Sequence, residues 1–176
     1  MGTDPFKTHP SPWISRFAPL VRPGGAVLDV ACGGGRHSRL FLDRGHPVTA
    51  LDRDIAQARM ADGAETLEAD LENGAPWPLA DRRFDAIVVT NYLWRPVFPH
   101  LLEALEPDGL LLVETFARGN EAFGRPRNPD HLLERGELLR LSHGLQVVAY
   151  EDGIEGGHKV VQRLCAANGQ GPKTIG

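Results

Sequence analysis

A chain of 176 residues, 41% hydrophobic and 24% charged, has the composition of one ordinary globular domain with a core of its own. Its net charge of −4, with acids and bases mixed along the chain, gives no basic footprint for nucleic acid or an anionic membrane. Cys32 and Cys165 stand far apart and outside any CxxC pair, which argues against a disulfide framework or a zinc knuckle and fits a reducing compartment. In chain order, MGTDPFKTHPSPW is too polar for a secretory signal and lacks the Ser or Thr at position 6 that myristoylation requires. No apolar run reaches membrane-spanning length, so a soluble cytoplasmic protein is expected. Residues 1–10 read as irregular. Ser11 then offers an N-cap oxygen and Pro12 a preset first helical position, and Trp13, Ile14, Phe17, Leu20 and Val21 follow at helical spacing, predicting a helix over about 11–22. Residues 26–30 form a short apolar run with one acid, Asp29, typical of a buried parallel strand. Gly33, Gly34 and Gly35 break it, and a helix is predicted from Arg36 to Arg44, stopped by Gly45.

The alternation repeats. Residues 47–51 form a second strand ending in Asp52, and Asp54 is expected to cap a short helix through Ile55, Ala58 and Met60. A weaker strand over 64–69 ends in Asp70, and residues 71–83 read as loop. Residues 84–90 are a strong fourth strand, 96–105 a helix, 110–116 a fifth strand, 117–129 a long loop and 132–141 a helix. Two β runs, 145–151 and 158–166, flank Gly153, Gly156 and Gly157, and the tail from Asn168 to residue 176 is expected to be disordered. Strands alternating with helices predict an α/β fold, a single Rossmann-like domain over 1–167 with helices on both faces of the sheet. The last two strands lack a helix between them and can only pair antiparallel, so a seven-stranded, mostly parallel sheet with a terminal antiparallel pair is expected.

Ligands of such sheets bind outside the carboxyl ends of the strands. Those ends carry Ala31-Cys32-Gly33-Gly34-Gly35, Asp52, Asp70, Thr90-Asn91-Tyr92 and Glu114-Thr115-Phe116. Glycines admit close backbone approach and φ > 0. A carboxylate after the second strand can accept both hydroxyls of a ribose. An acid after the third can accept an adenine amino group, with the Leu71 N–H facing a ring nitrogen. Together they describe an adenosine pocket.

The segments VLDVACGGGRHS, LDRD, EADLE, FDAIVVTNYL and LEPDGLLLVETF resemble the class I S-adenosylmethionine-dependent methyltransferases over about residues 11–166. GRHS, RGHPVTALDRD and the compact length resemble the small tellurite-resistance type, and NYLWRP with ETFARGNEAFGRPRNPDHLLERGELL resembles one subgroup of it. The resemblance implies a methyltransferase with S-adenosylmethionine as cofactor. It implies that Asp29, Ala31, Cys32, Gly33 and Gly35 line the methionine part, that Asp52 holds the ribose with Arg53 beside the adenine, and that Asp70 and Leu71 contact the adenine. Asn91 would lie near the sulfonium. The family's first loop glycine is Ala31 here, a change tolerated if its φ stays negative.

A nicotinamide dinucleotide is the rival cofactor, since Gly33, Gly35 and Ser38 echo G-x-G-x-x-G. Asp29 inside the first strand, Asp70 and the antiparallel pair favour the methyl donor. On the acceptor side the candidates are Asn91, Tyr92, Arg95 and His158, followed by Arg118, Asn120, Arg125 and Asn128; no single catalyst stands out. His158 occupies a place where the tellurite-resistance type also carries a histidine. Arg16 or Arg36 is a candidate partner for the methionine carboxylate, and Cys32 is expected to pack rather than react. The absence of Asn/Asp-Pro-Pro-Tyr/Phe after the fourth strand, of a basic stripe and of clustered acids points to a small-molecule, anion or thiol acceptor, with no nucleic acid, membrane or metal. The loop after the fifth strand and the N-terminal helix are the candidate lids. A non-catalytic S-adenosylmethionine-binding module is the alternative from another class.

Overall fold

A computed structural model describes residues 8–175, so the readings made on residues 1–7 and Gly176 lie outside the described residues. Strands β1 (Val27–Val30), β2 (Val48–Asp52), β3 (Glu65–Glu68), β4 (Phe84–Thr90), β5 (Leu105–Phe116), β6 (Gln146–Glu155) and β7 (Lys159–Ala167) form one sheet in the order β3-β2-β1-β4-β5-β7-β6. β1 to β5 pair parallel, while β7 runs antiparallel to both neighbours. The expected mixed sheet is therefore present, with β7 as its reversed strand. The order reverses at β1, and the ends of β1 and β4 face the resulting crevice.

The helices are α1 (Pro12–Phe17), α2 (Arg36–Asp43), α3 (Phe98–Glu103) and α4 (Glu137–Leu141). One apolar layer joins α1 and α2 to one face of the sheet through Ile14, Phe17, Phe41, Val88 and Leu112. The other face packs Ile87, Val89, Leu111 and Val113 against Phe98, Leu101 and Leu138. Alternation along β4 and β5 sends successive side chains to opposite layers, which is why these strands read as continuous apolar runs. Ser11 caps α1 as expected, its Oγ accepting from the Trp13 N–H at 3.1 Å. The indole of Trp13 donates to the Leu164 carbonyl at 3.2 Å and fixes α1 across the sheet.

Two expected helices are corrected. Residues 54–60 form two 3-10 turns, Ile55–Gln57 and Arg59–Ala61, and the Asp54 side chain caps neither. The Asp54 N–H is drawn to Asp52 Oδ1 at 3.0 Å, while its own Oδ2 accepts from Gln57 Nε2. The helix predicted over 132–141 begins only at Glu137. Leu133 bridges Ala117 in parallel, and Gly136 takes φ +67°, which ends any helix running in from Leu132. The tail is anchored at its start: the Asn168 N–H donates to Gly109 O, and Lys173 pairs with Asp108. Among the described residues no helix is long and apolar enough to cross a membrane.

Candidate functional site

A cleft of about 530 Å³ opens at the carboxyl edge of the sheet, within the range of small-molecule and cofactor pockets. Five strand ends supply its walls: Ala31 after β1, Asp52 and Arg53 after β2, Asp70 and Leu71 after β3, Asn91 and Tyr92 after β4, and Thr115 and Phe116 at β5. Pro126 and His131 close it from the loop after β5. A second cavity of about 550 Å³ shares Arg53, Asp70 and Leu71 with the first and continues to Trp77 and Trp94.

Asp52 is held from both sides. Its Oδ2 accepts the Gly33 N–H at 2.9 Å and its Oδ1 the Asp54 N–H at 3.0 Å. A carboxylate offers about four lone-pair sites, so two remain for a ligand. Asp70 Oδ1 accepts the Glu72 N–H at 2.9 Å, a local turn that sets the direction of the β3 end. Burial, followed by the hydrogen-bonded Glu72 carboxylate, pushes the Tyr92 phenol above its ordinary range and keeps it protonated.

Several expected contacts fall behind the cleft instead of in it. Asp29 is 1% exposed and its Oδ2 accepts both the Ser38 N–H (2.9 Å) and the Ser38 Oγ–H (2.7 Å), tying β1 to the first turn of α2. Burial raises its carboxyl, the Ser38 bonds pull it back, and the result is about 6. Cys32 is buried beneath the glycine loop, and burial, with Asp29 and Asp52 nearby, raises its thiol to about 12; it packs as expected. Gly33 and Gly35 shape the loop without lining the cleft. His37 accepts the Ser11 N–H at 3.0 Å on Nε2, and Nδ1 lies 3.3 Å from Thr90 Oγ1. Burial, reinforced by Arg36, lowers it to about 3, so it is a neutral link between the α1 cap and the β4 end.

The glycine loop carries one correction. Ala31 adopts φ +52°, not the negative φ expected of it. A left-handed alanine costs about 1–2 kcal/mol, and glycine at the same place costs about 0.5–1 kcal/mol of chain entropy. Ala31→Gly is therefore expected to raise unfolding free energy by up to about 1 kcal/mol, measured by urea denaturation. Gly35 sits at φ +81°, and a Cβ there would stand 2.7 Å from the Ala61 backbone nitrogen. Gly35→Ala is expected to lower stability by about 1–3 kcal/mol in the same measurement.

On the acceptor side, Asn91 and Tyr92 line the cleft; Arg95 and His158 do not. His158 is exposed on the β6–β7 turn, its Nδ1 3.0 Å from the Gly156 carbonyl. Arg95 pairs with the buried Glu137 at 2.5 Å and donates to the carbonyls of Asp130 and Leu132. Burial raises the Glu137 carboxyl, but the bonds from Arg95 and the Glu134 N–H outweigh it, leaving it below its ordinary value. Arg118 pairs with Glu134, and Asn128 caps the Pro129–His131 turn. Arg36 donates to the His9 carbonyl, and the Arg16 guanidinium lies 4.8 Å from the Phe17 ring centre.

Two buried amides bind the loop after β5 to the sheet. Asn120 Oδ1 accepts the Val160 N–H, and its Nδ2 donates to the carbonyls of Arg125 and Pro126. Gln162 donates to Glu134 O at 2.7 Å and accepts the Leu138 N–H at 3.2 Å. Glu72, Leu93, Pro126 and His131 line the cleft without having been marked as site residues by the local sequence pattern, and His131 brings it an imidazole. The signal for that histidine was its place in NPDH, downstream of the carboxyl end of the fifth strand.

Residues 7–147 match a family described as "Methyltransferase domain". Over 109 residues the chain is 37% identical to malonyl-[acyl-carrier protein] O-methyltransferase of Serratia marcescens, covering 56% of this chain and 41% of that protein. Over 76 residues it is 37% identical to ribosomal RNA small subunit methyltransferase H of a Nostoc species, covering 39% of this chain and 25% of that one. The chain thus spans about a quarter to two fifths of the length of these relatives. TehB from Haemophilus influenzae shares the fold, with a TM-score of 0.68 at 16% identity over 85% of this chain and 59% of the other.

Proposed function

From the premise that this chain belongs to the methyltransferase-domain family, we propose that it binds S-adenosylmethionine in the 530 Å³ cleft and methylates a small-molecule acceptor. The observation that carries this reading is the convergence of Asp52, Asp70, Leu71 and Asn91 from three strand ends on one cleft. Asp52 presents its two remaining lone pairs to the ribose hydroxyls. Asp70 and the Leu71 N–H meet the adenine edge, and Arg53 flanks the ring. Ala31 and Asn91 bound the cleft between that half and the acceptor half. When bound, S-adenosylmethionine supplies a methyl group on a positively charged sulfur. The residues contribute chiefly by positioning, since charge disappears as the methyl is transferred.

A small acceptor is supported by the cleft's size, about 530 Å³. The test is formation of S-adenosylhomocysteine with a panel of thiols, phenols, amines and carboxylates, run beside small-subunit ribosomal RNA. Turnover with a panel member is the expected result, and turnover with RNA alone would overturn the small-acceptor reading. Donor binding without turnover on any acceptor would replace the enzyme by a binding module.

A further inference from the structure

We propose that His131 is the acceptor-side base of the cleft and that the Arg95–Glu137 pair positions it; this rests on the methyl-transfer reading above. The sheet order sets the ends of β3 and β2 on one side of β1 and β4 and the loop after β5 on the other. Asp52 and Asp70 thus belong to the nucleoside half, with Ala31 and Asn91 in between, while Phe116, Pro126 and His131 bound the opposite half. Of the other titratable groups lining the cleft, Asp52, Arg53, Asp70 and Glu72 come from the β2 and β3 ends, and Tyr92 is held protonated against Glu72. His131 is the imidazole among the lining groups, and it stands on the acceptor half.

The chain holds this histidine with more than a surface turn needs. The His131 N–H donates to Asn128 O at 3.0 Å, and Asn128 Oδ1 caps the Asp130 N–H at 3.0 Å. Arg95 then grips the carbonyls on both sides of His131, Asp130 O at 2.9 Å and Leu132 O at 3.0 Å. Its fork is fixed in turn by both oxygens of Glu137. Arg95 lies four residues beyond Asn91, so one guanidinium couples the segment after β4 to the turn carrying His131. Such preorganisation is what a proton-transfer group requires.

In the step assigned to it, the acceptor heteroatom gives its proton to a ring nitrogen of His131 while its electron pair forms the bond to the methyl carbon. The carbon–sulfur bond breaks with its pair left on sulfur, giving a neutral thioether and an imidazolium. S-adenosylmethionine carries a positive sulfur and S-adenosylhomocysteine does not. A positive charge beside the ring disfavours the imidazolium. The experiment is an NMR titration of the histidine-labelled full chain in each ligand, with the ring signal assigned by His131→Gln.

The ring's titration midpoint is expected to lie lower with S-adenosylmethionine than with S-adenosylhomocysteine by about half a pH unit or more. Equal midpoints with both ligands bound overturn the assignment. Failure of S-adenosylmethionine to bind in calorimetry overturns the methyl-transfer reading instead. Arg95→Lys keeps the charge and removes the fork, and Glu137→Gln keeps the shape and removes the charge. In whichever of these folds with wild-type donor affinity, the difference between midpoints is expected to shrink; an undiminished difference removes the positioning role. With an amine or phenol acceptor, His131→Gln is expected to lose about 10²–10⁴ in kcat at unchanged donor affinity, and an unchanged kcat overturns the proposal.

Discussion

Replacing Asp52 by alanine is expected to weaken S-adenosylmethionine binding by about 1–3 kcal/mol, roughly 5- to 150-fold, the scale for losing charge-assisted hydrogen bonds. The carboxylate stands at the end of β2 with one backbone N–H on each oxygen, from Gly33 and from Asp54. Those two bonds orient it and leave the outer lone pairs aimed into the cleft it lines. The isosteric Asp52→Asn is expected to rescue little. An amide has a single oxygen, so its NH₂ must face one of the two backbone donors or turn away from them. Stability is expected to change by about 1 kcal/mol or less in either variant, because the side chain is only half-buried. Calorimetry on the three proteins checks this, and donor affinity equal to wild type in Asp52→Ala would remove the ribose role.

The second large effect is on stability against pH. In the folded chain Asp29 titrates at about 6, well above its ordinary 3.8, so between about pH 4 and 6 the native state holds a proton that the unfolded chain has lost. That contribution is present at low pH and disappears as pH rises through 6. His37 works in the opposite sense. It titrates at about 3 when folded, against an ordinary 6.5, so over the same interval the unfolded chain holds the extra proton. That contribution is present above 6.5 and is lost as pH falls. Between about pH 4 and 6 the two differences cancel, and the pair gives the wild type no net slope. Asp29→Asn removes the first titration and keeps an oxygen for Ser38. Its unfolding free energy is expected to rise with pH by about 1.4 kcal/mol per unit over that window, read from urea unfolding at pH 4, 5 and 6. Equal slopes in variant and wild type would sink the assignment of these two protons.

The sheet was legible because its cause is local. The apolar runs at β1, β2, β4 and β5 are buried on both faces, and turn residues bound them, so period and punctuation suffice. Asp52, Asp70, Leu71 and Asn91 were legible for the same reason, as residues that follow strand ends. What escaped depends on distant partners. Leu132 has helical spacing with Leu139, and Leu138 with Leu141. Arg95, some forty residues upstream, takes the Leu132 carbonyl, and Phe116 O takes the Leu133 N–H, so the segment stays extended. Arg95 looked like an acceptor-side group because Glu137, which pairs with it, is remote in sequence. The tie from Asp29 to Ser38 was not legible because nothing local shows Ser38 folding back over the carboxylate. The positive φ of Ala31 had no local signal, since alanine is a poor choice for it.

The loop after β5 read as a lid, being long and rich in glycine and proline. Asn120 and Gln162 give it another character. Each amide is buried and spends both its donor and its acceptor on backbone, one reaching the carbonyls of Arg125 and Pro126, the other Glu134 and Leu138. A wall riveted in this way does not wait for a ligand in order to take shape. Under the proposed reaction an acceptor would meet a mould that already exists, and a molecule of the wrong outline would be turned back without a flap having to close.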